Sequence, residues 1–385
     1  MRFVLIGPTH PFRGGIAHYT TSLSRTMARE HDVRLVSFSR QYPRFLFPGR
    51  TQQDRSERAF SVPSTPLIDS LNPRTWHRAV EEIVRFGPDA VVFQWWQPFF
   101  GLAYGSIMRH LSRRSSIPGF LLCHNIQGHE THFPGIAQLE SWLVQRAFDQ
   151  AAGFLGHSEE MARKIREMRP GVPVRKIYHP LYDFFLDFEQ DEPLPVSDRA
   201  QILFFGKIRE YKGLETLIDA LGLIKGKLDF QAVIAGEFYL NPEPYYAQVK
   251  RLGLEEDVVW CDRYIPNEEV PRLFRSSDLV VLPYLRATQS GVVPVAYQFE
   301  VPVIASDVGG LSEVILEGET GYLVPPGNPA AIAERLLAYF RQGRQDEFRK
   351  KIRAFRKALT WESVVEAIVD MTQELLEKRP DAKSQ

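Results

Sequence analysis

Residues 282–324 read LPYLRATQSGVVPVAYQFEVPVIASDVGGLSEVILEGETGYLV, and this stretch decides the fold. Residues 279–282 form an apolar run of strand length. A loop of small residues follows, and the spacing predicts a helix starting at Ser290. A buried strand is expected over 301–305, then a glycine turn at Gly309-Gly310, a helix opened by Glu313, and a strand from Gly321. Short apolar runs alternating with helices are the pattern of a parallel sheet covered by helices. Small residues at a strand end, just before a helix, leave backbone N–H groups free to hold an anion. Ser290, Gly291 and Val292 stand in that position.

The rest of the chain repeats this alternation. Strands are expected over 2–6, 33–38, 90–94, 119–124 and 154–157, with helices over 16–29, 75–86, 102–112, 137–148 and 159–168. Residues 184–199 turn acidic and proline-bearing and read as an interdomain linker. Strands over 201–205, 231–235 and 258–260 then alternate with helices over 214–223 and near 245–252. Helices over 329–341 and 345–359 follow, and a last one starts at Thr360-Trp361-Glu362 with Thr360 as N-cap. The expected domains are 1–183 and 200–360. A length of 385 residues fits about two domains.

Composition is that of a globular protein, 44% hydrophobic and 24% charged. Lys plus Arg and Asp plus Glu are 47 each, so net charge gives no reason to expect nucleic acid as a partner. Cys123 and Cys261 lie far apart, outside any metal-ligand spacing, which fits a reducing cytoplasm. The opening MRFVLIGPTHP reads as a buried strand, too short for a signal core, and no run approaches the ~20 apolar residues of a membrane span. The expected location is the cytoplasm, with peripheral contact at the inner face of a membrane.

Several strand ends carry candidate chemistry. Gly14-Gly15 follows the first strand, where two glycines let backbone approach a ligand or make a tight turn. Gly206-Lys207-Ile208-Arg209-Glu210-Tyr211-Lys212-Gly213 follows the first strand of the second half. Its cations, Lys207, Arg209 and Lys212, are placed to grip a phosphate. Cys123-His124-Asn125 closes another strand. Trp95, Trp96, Phe99 and Phe100 form an aromatic loop readable as core, sugar platform or membrane foot, with Arg109, Arg113 and Arg114 on the next helix. The segment 40–53, RQYPRFLFPGRTQQ, reads as a docking loop, with Arg40, Arg44 and Arg50. No Asp-x-Asp stands at a strand end, since Asp187-Phe188-Glu189 lies in the linker. His129, Glu130 and His132 lack the rigid spacing of a metal site. No metal or other cofactor is expected.

The order of pieces in 282–324, with Pro302 and Gly309-Gly310-x-x-Glu313, resembles the nucleotide-sugar site of retaining GT-B glycosyltransferases of the family-4 type. The segment from Gly206 to Gly213 resembles that family's Gly-Arg…Lys-Gly element, with Lys207 in the Arg position. The resemblance implies an α/β GT-B fold of two Rossmann-like domains facing across a cleft, with the helix 361–378 crossing back onto the first. It implies hexose transfer from a nucleotide-sugar to a glycan or lipid-linked acceptor. Gly14, Gly15, Lys207, Arg209, Lys212, Ser290, Gly291 and Val292 would hold the diphosphate, and His124 and Lys212 would serve catalysis. Arg263, Tyr264, Thr288, Gln289 and Glu313 would meet nucleoside and sugar, and Trp95, Trp96, Phe99 and Phe100 acceptor or membrane. The family's glutamate pair, seven residues apart, falls on Ala287 and Val295, neither acidic. An epimerase of the same fold and a non-catalytic binding partner are the alternatives.

Overall fold

The computed structural model describes residues 1–43, 51–126, 136–188 and 197–378. The first half runs β1 (Arg2–Ile6), α1 (Gly15–Met27), β2 (Asp32–Arg40), β3 (Thr65–Asp69), α2 (Pro73–Phe86), β4 (Ala90–Trp95), α3 (Gly101–Arg114), β5 (Gly119–Cys123), α4 (Ile136–Phe148), β6 (Phe154–Gly156), α5 (Glu159–Met168) and β7 (Val174–Lys176). Its strands pair in parallel in the order β3-β2-β1-β4-β5-β6-β7. All six residues of β4 are buried, as expected of a central strand covered on both faces.

The second half runs β8 (Ala200–Phe205), α6 (Leu214–Ile224), β9 (Phe230–Ala235), α7 (Glu243–Arg251), β10 (Val258–Cys261), α8 (Val270–Arg275), β11 (Leu279–Leu282), α9 (Val292–Gln298), β12 (Val303–Ser306), β13 (Gly321–Val324), α10 (Pro329–Gln342), α11 (Gln345–Phe355) and α12 (Trp361–Glu377). This parallel sheet has the order β10-β9-β8-β11-β12-β13. The two sheets, each wrapped by helices, make a two-domain GT-B architecture. Strand order reverses between β1 and β4 in one sheet and between β8 and β11 in the other. Ligands of such sheets bind at the carboxyl ends beside these reversals. The loops after β1, β8 and β11 are the ones that carry the glycines and cations.

The last helix returns to the first domain. Trp361, Val364, Ile368 and Met371 of α12 are buried with Phe3, Leu5, Tyr19 and Leu23. Thr360 caps it, its hydroxyl accepting from Ser363 N at 3.2 Å. The crossing segment is no open tether where it is described: Asp183–Phe188 is a 3-10 turn whose Phe184, Phe185 and Phe188 pack into the second domain's core, Phe184 stacked on Phe60 at 4.1 Å. Residues 189–196 lie outside the described set, as do Arg44, Arg50, His129, Glu130 and His132.

Several local expectations are corrected. The helix expected from Ser290 begins at Val292, because the Ser290 hydroxyl accepts from Val292 N at 3.2 Å and holds the turn outside the helix. Glu313 does not open a helix; it ends the 3-10 turn Gly309–Glu313. The helix from Gln345 stops at Phe355, and a 3-10 turn, Arg356–Ala358, replaces its last part. Trp95 and Phe100 are 0% exposed and packed among Tyr104 and Phe148, so they are core and not an acceptor or membrane surface. Trp96 and Phe99 pack half-buried against the same cluster, and Trp96 Nε1 donates to the Tyr42 hydroxyl at 2.9 Å.

Candidate functional site

The site begins with backbone that favours glycine. Gly213 ends the turn after β8 at φ 66°, and a Cβ there would lie 2.0 Å from the Pro283 carbonyl oxygen. Gly206, at φ 104°, has the Lys212 Nζ only 3.0 Å from where its Cβ would be. The loop after β8 therefore folds tightly enough to bring Lys212 back over its own start and against the loop after β11. Lys212 is 8% exposed, with its amine 5.3 Å from the Tyr284 ring centre.

The first domain meets this loop from across the cleft. Lys207 Nζ lies 3.7 Å from the Cβ position of Gly14. Arg13, one residue earlier, reaches over to the second domain and pairs with Glu237, both side chains almost fully buried. The same guanidinium donates to the Tyr239 hydroxyl at 3.2 Å and lies 4.9 Å from the Tyr264 ring centre. Lys207 and Arg209 stand over Tyr239 at 5.5 and 4.9 Å. Between the two glycine loops stands Tyr182, whose hydroxyl donates to the Gly15 carbonyl at 3.3 Å and lies 3.5 Å from the Cβ position of Gly291. Gly14, Gly15, Lys207, Arg209, Lys212, Gly291 and Val292 are thus brought to one place.

Crowded cations lower one another's proton affinity. Burial, then the charges of Arg209, Arg13 and Lys212, push the Lys207 amine down to about 8, against the opposing pull of Glu237. Lys212 is lowered too, chiefly by burial. Such a cluster is stabilised by an anion with more than one negative charge. The free N–H groups expected of 290–292 are fewer than foreseen, since Val292 N donates to the Ser290 hydroxyl, itself 3.2 Å from the buried Tyr284 hydroxyl.

The other expected residues sit elsewhere in the closed arrangement. Thr288 donates to Asn125 Oδ1, and Gln289 Nε2 donates to the His157 carbonyl at 2.8 Å, so both stitch the second domain to the first. Glu313 does the same, accepting from Glu159 N at the start of α5 at 2.8 Å and pairing with Lys176 at the end of β7 at 3.1 Å. His124 hydrogen-bonds Gln94 Oε1 at 2.7 Å beneath Tyr19, which His157 and His179 also flank. Burial, with His179 nearby, holds the His124 imidazole neutral well below its ordinary range. Arg263 forks onto Glu269 at 2.6 and 2.9 Å, half exposed, and does not join the cation cluster. Ala287 backs onto Gly309, and Val295 is 4% exposed in the second domain's core. Among the described residues no three His, Cys, Asp or Glu side chains gather as a metal-ligand set.

Arg13, Glu237, Tyr182, Tyr239 and Tyr284 were not foreseen. Arg13 directly precedes the glycine pair and Glu237 lies two residues past β9, so both stand in strand-to-helix loops.

Comparison with known proteins bears on this arrangement. Residues 14–180 match the family described as glycosyl transferase 4-like domain, and residues 199–342 match glycosyl transferases group 1. The two matches cover both domains, and the chain belongs to the family-4 type of GT-B glycosyltransferases. It is 28% identical over 213 residues to an alpha-D-kanosaminyltransferase of Streptomyces kanamyceticus, covering 52% of this chain and 54% of that one. It is 35% identical over 147 residues to a D-rhamnosyltransferase of Pseudomonas aeruginosa, covering 38% of this chain and 37% of that one. The chain thus spans about half the length, or less, of these curated relatives. The Anabaena protein HepE, solved with UDP, superimposes with a TM-score of 0.72 at 16% identity over 97% of this chain and 100% of its own. Sucrose-phosphate synthase from Thermosynechococcus elongatus gives 0.71 at 17%, over 98% and 100%.

Proposed function

We propose that this protein is a cytoplasmic hexosyltransferase of polysaccharide or glycolipid assembly, moving a sugar from a nucleotide-sugar donor to a glycan or lipid-linked acceptor with retention of configuration and without a required metal. One observation carries the reading: Arg13, Lys207, Arg209 and Lys212, drawn from both domains, converge beside the glycine loops at the carboxyl ends of two parallel sheets. The leaving nucleoside diphosphate gains negative charge as the glycosidic bond breaks. Cations already fixed where that charge develops stabilise the transition state without further reorganisation. Four basic side chains are well suited to the role a divalent ion would otherwise take. The relatives named for sugar transfer and the UDP-bound structural neighbour support the same class of donor.

Retention is consistent with the absence of carboxylates at Ala287 and Val295, because front-face attack assisted by the leaving phosphate asks no nucleophile of the protein. A neutral, buried His124 would orient a hydroxyl near the reacting carbon and would not act as a cation. The test is a thermal-shift screen of nucleotide sugars, followed by the anomeric configuration of the product by NMR, in the presence of EDTA. Lys212→Ala should keep its fold and lose at least ~100-fold in turnover. Near-normal turnover in that variant, or activity that EDTA abolishes and a divalent ion restores, would count against the site. A donor that binds and is never transferred would favour a non-catalytic partner.

A further inference from the structure

Helix α6 joins β8 to β9 in a parallel βαβ unit, with Ala200 facing Phe230 at one end of the pair and Phe205 facing Ala235 at the other. The loop of glycines and lysines, 206–213, follows the first of these strands, and Glu237 follows the second. The two loops are locked together. Ile208 N donates to the Glu237 carbonyl at 2.9 Å, and a Cβ at Gly236 would fall 1.9 Å from the Gly206 carbonyl oxygen. Glu237 is thereby seated against the loop of Lys207 and Arg209, and its carboxylate, 3% exposed, meets Arg13 of the first domain. The next residue, Phe238, donates its N–H to Asp262 Oδ1 at 3.2 Å, which ties the same loop to the one after β10 that carries Tyr264.

A carboxylate in this place works against a cluster that holds phosphate and nothing else. Fixed among Arg13, Lys207 and Arg209, it repels an incoming diphosphate and offsets part of the cations' attraction. Its burial there calls for a second task. Beside its phosphates a nucleoside diphosphate carries the two vicinal hydroxyls of ribose, and a carboxylate, an acceptor with two oxygens, can take both donors at once. In the dinucleotide-binding form of this βαβ unit, an acid about 20 residues beyond the glycine turn accepts from the ribose. Gly213 and Glu237 stand in that relation, in the loops after neighbouring strands of one sheet.

We propose that Glu237 binds the ribose hydroxyls of the donor nucleotide and makes the site select a ribonucleoside diphosphate. The inference rests on the nucleotide-sugar reading above and adds to it the residue that recognises the nucleoside. Because Arg13 belongs to the first domain, closure orients a carboxylate that the second domain supplies.

The experiment is calorimetry on the full chain with UDP, ADP and GDP, with their dideoxyribose forms, and with inorganic pyrophosphate. The best-bound ribonucleotide should exceed its dideoxy form ~tenfold or more in the parent chain, as expected where a charged acceptor loses its hydroxyl donors. In Glu237→Gln that ratio should fall below about threefold, while pyrophosphate binds as tightly as before or more so, since a like charge is gone. Arg13→Gln breaks the same cross-domain pair but leaves the carboxylate, so there the ratio should stay near the parent's. A parent chain indifferent to the ribose hydroxyls would overturn the assignment without any variant. So would a ratio unchanged in Glu237→Gln, or one lost equally in both variants, which would leave Glu237 a clasp for Arg13; in each of these cases the donor site itself stands. A parent chain that binds neither the nucleotides nor pyrophosphate would overturn the nucleotide-sugar reading, and this assignment with it.

Discussion

Lys207 carries a consequence that can be read by titration. Its amine, held at about 8 instead of the ordinary 10.5, is charged in the fold only below about pH 8, while an unfolded chain keeps that proton up to the ordinary value. Charging it therefore costs folding stability below pH 8, and that cost is relieved as pH rises from 8 to 10.5. A bound diphosphate has the opposite preference, for the charged amine. Donor affinity should be flat below pH 8 and weaken up to ~tenfold per unit above it, measured by calorimetry across that range. An affinity indifferent to pH there would remove Lys207 from the diphosphate contact. Val295 makes a second prediction. It is buried in an apolar cluster with Tyr297, Val301 and Leu311, and a glutamate would place a charge with no partner there. Glutamates restored together at Ala287 and Val295 should lower stability by ~3–4 kcal/mol and give no gain in turnover. A gain would mean that this chain is a decayed form of the ordinary site.

Among the elements, the two glycine loops act on each other through the Tyr182 hydroxyl. Gly291→Ala puts its methyl at an ordinary 3.5 Å from that hydroxyl, and donor binding should change less than about twofold. Gly291→Val adds branches that must displace Tyr182, and with it the Gly15 carbonyl it holds. Displacing a reacting group by about 1 Å costs on the order of 10²-fold in rate, and a loss of that size in turnover is expected from the valine variant alone. Equal kinetics for alanine and valine would show that the loops are independent. Central strands such as Ala90–Trp95 and Leu279–Leu282 were legible because both of their faces are covered, leaving unbroken apolar runs. Thr65–Asp69 and Val174–Lys176 were not, because each is a short edge strand with much of its length exposed or half-exposed. Val270–Arg275 is six residues long, too short to show a helical period. The strand-end rule pointed to the glycines and lysines that the fold brings together. It could not find Tyr182, whose role exists only because two distant loops close on it, nor see that Glu313 and Thr288 turn toward the opposite domain.

At the scale of the whole molecule, polar contacts such as Arg13–Glu237, Thr288–Asn125 and Glu313 on Glu159 N join the domains. Breaking a buried ion pair inside one core costs about 3–5 kcal/mol, because the surviving charge cannot escape. Arg13 and Glu237 belong to different domains, so the survivor can regain water if the cleft opens. Glu237→Gln should therefore show a larger radius of gyration by small-angle scattering with little loss in melting temperature. A much lower melting temperature at unchanged radius would mean that the pair holds the fold and not the closure. The return of α12 to the first domain reaches further. Phe3, Tyr19 and Leu23 are covered by Trp361, Val364, Ile368 and Met371, residues more than 300 positions later in the chain. During synthesis the second domain can complete its sheet while the first still shows this greasy face, so the half that is made first is the half that finishes last. Nascent chains halted before residue 361 should thus be the form that chaperones hold, and release of the final helix the event that frees them.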